Sequence, residues 1–470
     1  LPTISLKMSA LQPADDLPDE HEEDEMLDED EAAEEIEEED EDHPMSDDGE
    51  DEIQQEIQLQ NDSSAHFDAH TDSIFCIAQH PTLPHIVATG GGDDVAYVFD
   101  STVPAGPVLP PSYETTPEPQ GERASIVPLQ KLEGHTDSVN AITFTYPIGQ
   151  YLLTAGLDGK LRAWMCNKTA TKFINVAEVA EVEEINWLIP CPNPEHPNTV
   201  ALGANDGSVW VYTVDAKDKQ SPMTAVQVYY LHTQSCTAGA WTPDGKLLGT
   251  VGEDGVFHVW DVFGTGAAVV SLTADDQRFV VEGGLYSVAM TQSIAAVGGA
   301  GGNIKIIGLP QGEQEKKSKK GEASSAGQIL AGLQAQTEGV ETLSFAEPPL
   351  TLLAAGSVDG SIALFDTAHR FAVRRHIKEA HEEFAVVKVE FGKGRAGHIL
   401  TSAGMDGVVR RWDTRGGTAA AGQGFLKEWK GHRGEGEGGG VLAFVQGADG
   451  SRIVTAGDDG VSLVFKADMP

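Results

Sequence analysis

One short turn signature recurs along this chain at a nearly constant interval, and that recurrence restricts the possible folds more than any other feature. Its clearest copy lies in residues 245–261. There an apolar run leads into Glu253-Asp254-Gly255, and Val256, His258 and Trp260 alternate with Phe257 and Val259 beyond it. Asp-Gly between two such runs predicts a β-hairpin whose two turn residues both take positive φ. A single hairpin is marginal in water, so its faces must be covered by neighbours. Related turns centre on Asp93, Asp158, Asp206, Asp254, Gly301, Asp359, Asp406 and Asp459, at intervals of 65, 48, 48, 47, 58, 47 and 53 residues. The two long intervals contain insertions that read as surface loops. One is the Pro-rich segment 103–128, and the other is 311–327, which carries Lys316, Lys317, Lys319 and Lys320. The lysine cluster reads as a solvated loop, with a nuclear signal as the alternative.

Other residues keep step with the turns. Gly134-His135 precedes Trp164, His232 precedes Trp260, and His381 precedes Trp412-Asp413. Eight copies of a four-strand unit with this punctuation resemble the WD repeats of a β-propeller. The resemblance covers residues 53–470 and implies an all-β, eight-bladed WD-repeat β-propeller. It further implies a hydrogen-bonded set of His, Ser or Thr, Asp and Trp inside a blade. Blade two matches with His135, Thr154, Asp158 and Trp164, and blade four with His232, Thr250, Asp254 and Trp260. Blade seven matches with His381, Ser402, Asp406 and Trp412. Blades one and eight carry Phe99 and Phe465 in place of Trp, and blades three, five and six lack the His. A Ser/Thr-His-Asp trio also suggests a hydrolase triad, but one that returns with every repeat reads as architecture. The chain ends after the third strand of blade eight, so a strand from elsewhere must close the ring. Ile53–Gln60 alternates weakly and is expected to pair beside residues 461–465.

Charge separates a tail from the repeats. Residues 1–52 hold 25 Asp and Glu against one Lys, and the remaining 418 residues hold 49 against 30 Lys and Arg. Self-repulsion and few apolar residues predict a disordered acidic tail over 1–52. The formal charge of −43 argues against direct nucleic-acid binding, which needs clustered Lys and Arg, and favours a cationic partner. Cys76, Cys166, Cys191 and Cys236 form no metal-binding spacing, and no phosphate-binding glycine loop precedes a helix, so neither a cofactor nor an enzyme activity is expected. No apolar run approaches the ~20 residues of a membrane span, and Leu1–Ala10 has no signal-peptide core. These features predict a soluble monomer in the cytoplasm, with the nucleus open to it.

In WD proteins partners often dock where the loops entering each blade meet the turns after its second strand. The resemblance aligns three positions per blade at that face: Ser138, Asn140 and Leu157 in blade two, and Gly439, Gly440 and Asp458 in blade eight. Around the ring the charged members are Glu184, Glu253, Glu341 and Asp458, with Phe75 and Tyr286 as aromatic members and no Lys or Arg. Glu282, Glu338 and Glu383 lie nearby in the entering loops. Carboxylates with aromatic faces suit a peptide rich in Arg and Lys. These nine residues are the candidate partner-binding set.

An acidic head before an eight-repeat propeller with these insertions is similar to the angio-associated migratory cell protein family. Its fungal branch consists of ribosome-assembly factors. That resemblance implies a dedicated chaperone that binds the basic N-terminal segment of the large-subunit ribosomal protein L-ten and delivers it to pre-60S particles. Histone binding and a general WD-repeat scaffold are the alternatives.

Overall fold

The computed structural model describes residues 60–103, 124–310, 326–416, 421–433, 439–447 and 450–467. The expected acidic tail, almost all of Ile53–Gln60 and most of both insertions fall outside the described residues. Eight sheets, antiparallel through their first four strands, radiate from a common axis, and each begins with its innermost strand. In chain order the inner strands are Ile74–Gln79, Val139–Phe144, Ile185–Pro190, Cys236–Trp241, Leu285–Met290, Val340–Phe345, Val386–Phe391 and Val441–Gln446. Each packs against the next, and the last packs against the first, so the ring is closed.

Sequence explains the radial order. The second strands Ile86–Gly91, Tyr151–Gly156, Thr199–Ala204, Leu352–Ser357 and Ile399–Gly404 are buried at every residue, as strands covered on both faces must be. Outer strands such as Ile329–Gln334 alternate between half-buried and exposed. Blade eight takes its first three strands from the C-terminal end of the chain and its fourth from Ala65–Phe67. Ala65 faces Val464 and Phe67 faces Ser462. The short strand Ala124–Ser125 then pairs in parallel with Ala65–Phe67. The expectation that Ile53–Gln60 closes the ring is therefore corrected, because Ala65–Phe67 occupies that place. Phe67 decides the choice. It is fully buried, stacked on Phe99 at 4.3 Å between ring centroids and edge-on to Tyr97 at 5.7 Å. Nothing in Ile53–Gln60 offers a ring to fill that slot.

The turns also differ in detail from expectation. The glycine of each Asp-Gly pair has positive φ (Gly159 +70°, Gly255 +70°, Gly407 +73°), whereas the preceding Asp does not. The Asp is retained for its carboxylate. Asp158 Oδ1 accepts the Lys160 amide at 3.1 Å, and Asp254 Oδ1 accepts that of Val256 at 3.1 Å. Such an Asx bond fixes the turn from inside. A Cβ on Gly159 would also strike the Val182 carbonyl in the loop entering the next blade.

Candidate functional site

The hub face is built by one repeated contact. In every blade the amide that follows the second strand donates to a carbonyl at the start of the inner strand. Gly92 bonds Ser73 (2.9 Å), Leu157 bonds Ser138 (3.0 Å), Asn205 bonds Glu184 (3.1 Å) and Glu253 bonds Ser235 (3.0 Å). Ala300 bonds Gly284 (3.2 Å), Val358 bonds Gly339 (3.0 Å), Met405 bonds Ala385 (3.0 Å) and Asp458 bonds Gly440 (2.9 Å). The first and third aligned positions thus touch all round the ring.

The second position sits in a β-bulge in all eight inner strands. The register slips past Phe75, Asn140, Asn186, Thr237, Tyr286, Glu341, Val387 and Leu442. An extra residue bends the strand and re-aims its side chain. Blade eight corrects the sequence alignment: its first two positions are Gly440 and Leu442, not Gly439 and Gly440. The glycine run 438–440 offers no side chain by which to set that register, and Leu442 was missed for this reason.

Three bulge residues join blades. Asn140 Nδ2 donates to the Ile185 carbonyl at 2.5 Å, Asn186 Nδ2 to the Cys236 carbonyl at 3.0 Å, and Thr237 Oγ1 to the Leu285 carbonyl at 2.6 Å. Of the other five, Phe75 and Glu341 are exposed to the hub and Tyr286, Val387 and Leu442 are half-buried. The place where a Gly339 side chain would begin is 3.2 Å from Glu341 Oε1, 3.8 Å from Val358 and 3.9 Å from the Tyr286 ring. Tyr286 tethers its hydroxyl to the Gly283 carbonyl. Glu341 is open to solvent, but protein surrounds it closely enough that desolvation holds its carboxyl above the usual pKa. Blades one and eight make a second cluster. Phe75 is 41% exposed, Asp72 lies across Gly92 from it, and Ser73 Oγ donates to Asp458 Oδ1 at 2.6 Å. Glu184, Glu253, Glu282, Glu338 and Glu383 are exposed on the same face.

That face is strongly acidic and its opposite is not. Among the described residues, the loops at the hub end carry 24 Asp and Glu and five Lys and Arg, and those at the far end carry five and nine.

Beneath the loops lie the repeated polar sets. In blade two the His135 Nδ1–H donates to Asp158 at 3.0 Å and the Thr154 hydroxyl donates to His135 Nε2 at 2.8 Å. The Trp164 indole then donates to that hydroxyl oxygen at 3.1 Å. Blades four and seven repeat the chain through His232, Thr250 and Trp260, and through His381, Ser402 and Trp412. Burial lowers the pKa of His135 and His381 despite the Asp beside each. Burial alone would raise the carboxylates of Asp158, Asp254 and Asp406, but bonds from His and backbone outweigh it at Asp158 and Asp254, and His381 with Arg410 outweighs it at Asp406, so all three are lowered. Neutral imidazole facing charged carboxylate follows. The geometry imitates a hydrolase triad, yet Thr154, Thr250 and Ser402 are 0% exposed and each oxygen is occupied by an indole. No substrate reaches them, so these sets are architecture.

Fold and recurring sets define a WD-repeat β-propeller, and the family model described as "WD domain, G-beta repeat" matches residues 61–100, 126–165 and 223–261. The crystal structure of Sqt1 from Chaetomium thermophilum, bound to the N-terminus of the ribosomal protein L10, is 51% identical. That likeness covers 87% of this chain and 100% of that one, at a TM-score of 0.76. The ribosome assembly protein SQT1 of Saccharomyces cerevisiae is 28% identical over 445 residues, 89% of each chain. The human angio-associated migratory cell protein is 26% identical over 415 residues, covering 87% of this chain and 81% of that one. The chain belongs to the Sqt1/angio-associated migratory cell protein family, which is non-enzymatic.

Proposed function

We propose that this chain is a dedicated chaperone that holds the basic N-terminal segment of ribosomal protein L10 at the acidic hub and delivers it to pre-60S particles. The observation that carries this reading is the Chaetomium Sqt1 complex, in which a propeller 51% identical over its whole length holds the N-terminus of that protein. The hub of this chain has the matching chemistry. An Arg side chain lying on Tyr286 meets Glu341, and one lying on Phe75 meets Asp72 and Asp458. Glu184, Glu253, Glu282, Glu338 and Glu383 extend the negative field outward, so encounter is fast and slows with salt, over a screening length of about 8 Å at physiological ionic strength. The chaperone acts in the cytoplasm as a monomer, with its client captured during synthesis.

Isothermal titration calorimetry with a synthetic L10 N-terminal peptide tests the proposal. Wild type binds; Glu341→Lys loses binding while keeping the wild-type melting temperature, and Asp458→Lys loses binding and stays folded with a modestly lower one, because it gives up the bond from Ser73. Unchanged affinity in both folded variants refutes the hub as the site. Equal affinity for a histone H3 tail peptide refutes a dedicated client and favours the histone reading.

A further inference from the structure

The acidity of the chain conceals a basic sector. Residues 366–433 contain 13 Lys and Arg against eight Asp and Glu, in a chain that holds 31 against 74 overall. These residues span the outermost strand of blade six and all the described strands of blade seven. At the end away from the hub, Arg370 lies in the turn before the outer strand Ala372–Ile377 of blade six. Lys393 and Arg395 lie in the first turn of blade seven, and Arg415 in its last. Arg370, Lys393 and Arg395 are exposed and form no ion pair among the described residues. Arg374 and Arg375 hold the two blades together here. Arg374 Nε donates to the Gly416 carbonyl at 3.0 Å, and Arg375 donates to the carbonyls of Asp413, Gln423 and Arg415 at 2.8, 2.6 and 3.1 Å. The Arg370 turn and the last turn of blade seven are thus fixed to each other, and the first turn of blade seven is tied to blade six by the Gly394 amide, which donates to Glu347 Oε2 at 3.4 Å.

Apolar side chains lie among them. Val373, Phe425 and Leu426 are 49%, 45% and 39% exposed at the starts of the two outer strands. The Phe425 ring is held edge-on against Trp412 at 5.5 Å. Between the outer strands runs a groove of about 690 Å³, lined at the far end by Trp412, Gln423 and Phe425 and towards the hub end by His376, Lys378 and Glu379. Cationic turns thus lead into a half-apolar groove.

We propose that the far end of this groove, at Gln423 and Phe425, and the basic turns on that face dock an acidic polypeptide segment that carries apolar residues, on the side of the wheel away from the client. Carboxylates of the segment pair with Arg370, Lys393 and Arg395, and a Leu or Phe side chain enters beside Phe425 and Trp412. A peptide fits better than RNA. A short segment answers only to the local charge, whereas an extended polyanion also feels the carboxylates of the rest of the propeller.

Fluorescence anisotropy tests this on the full chain, with a short fluorescein-labelled peptide in which Glu-Asp pairs alternate with Leu and Phe. The triple variant Arg370→Glu, Lys393→Glu, Arg395→Glu changes only exposed turn residues. It is expected to lose affinity for this peptide by about tenfold or more, with an unchanged melting temperature and unchanged affinity for the L10 N-terminal peptide. Phe425→Ala tests the groove separately and weakens the same peptide alone. No binding by wild type, equal binding by wild type and the triple variant, or tighter binding of a poly(U) oligonucleotide than of the peptide overturns the proposal. The L10 arm is read independently, so failure of the hub reading and failure of this one are distinguishable.

Discussion

Replacing Phe67 by Ala tests how the ring is closed. The side chain is 0% exposed and lies between Phe99, stacked at 4.3 Å, and Tyr97, edge-on at 5.7 Å. It belongs to the three-residue strand that completes blade eight, so its cavity opens at the junction of the first and last blades. Truncating a fully buried Phe costs about 3–5 kcal/mol, which includes its transfer and the cavity left behind. The upper part of that range is expected, because Ala65–Phe67 is too short to keep its place by backbone pairing alone. Domains of ordinary stability hold about 5–15 kcal/mol in total, so the variant folds but unfolds at a clearly lower urea concentration. Phe75→Ala is the matched control. Its ring is partly exposed at the hub, and a loss below about 1 kcal/mol is expected. Urea melts followed by tryptophan fluorescence and circular dichroism read both. If Phe67→Ala unfolds within about 1 kcal/mol of wild type, or if Phe75→Ala is the more damaging change, Ala65–Phe67 is not what fastens the wheel.

The other predictions concern the polar sets and the hub. Thr250→Val removes the hydroxyl that His232 and Trp260 share and leaves two buried groups unpaired, so a loss of about 2–4 kcal/mol is expected in urea unfolding. Acid should destabilise the fold in two stages. His258 is pushed down to about 4 by burial, then by the neighbouring His232, and His135 and His381 are also lowered. The unfolded chain therefore takes up protons that the folded chain refuses as pH falls below about 6.5, with His258 alone worth at most about 3 kcal/mol. The depressed carboxylates of Asp158, Asp254 and Asp406 contribute stability above the ordinary Asp range, and it is lost as pH falls through their folded pKa values. Stability that is flat from pH 7 to 5 in urea titrations would contradict the neutral histidines. Asn186→Ala should lower stability by about 1–2 kcal/mol without altering affinity for the L10 peptide, and Glu341→Gln should do the reverse, as calorimetry and denaturation together would show.

The repeat was legible because its punctuation is chemical. Asp-Gly marks a turn that needs both a carboxylate and a positive φ, and His 22 to 27 residues before the Asp marks the buried set beneath it. What was illegible depended on partners distant in sequence. Ile53–Gln60 alternates better than Ala65-His66-Phe67, yet the shorter segment closes the ring because a slot made by Phe99 and Tyr97 accepts Phe67. The bulges carry no mark of their own, since Phe75, Asn140, Thr237 and Glu341 share neither size nor charge. Only the pairing slip shows that they hold one position. The basic sector was hidden by averaging, because a net charge says nothing about which end of a strand each residue occupies.

The same bulge position serves two purposes, and its division around the ring accounts for how an acidic hub remains rigid. In blades two, three and four the bulge residue is a hydrogen-bond donor directed at the next blade, and the wheel is stitched there. From blade five round to blade one the position holds Tyr286, Glu341, Val387, Leu442 and Phe75, and other groups stitch those blades. Ser287 Oγ donates to the Val340 carbonyl at 2.6 Å, Lys388 Nζ to the Phe444 carbonyl at 2.8 Å, and Ser73 to Asp458. The turn carboxylates are held even where His is missing. In blade six Gln336 takes the place of His and donates to the Ser361 carbonyl at 2.9 Å, while Asp359 accepts the amides of Thr337 and Ser361. The hub carboxylates therefore stand on turns already fixed in place, and a cationic segment that arrives there need not order them. Pre-organisation of that kind raises affinity without adding contacts. It also favours the half of the ring where the bulge residues are not committed to holding the blades together.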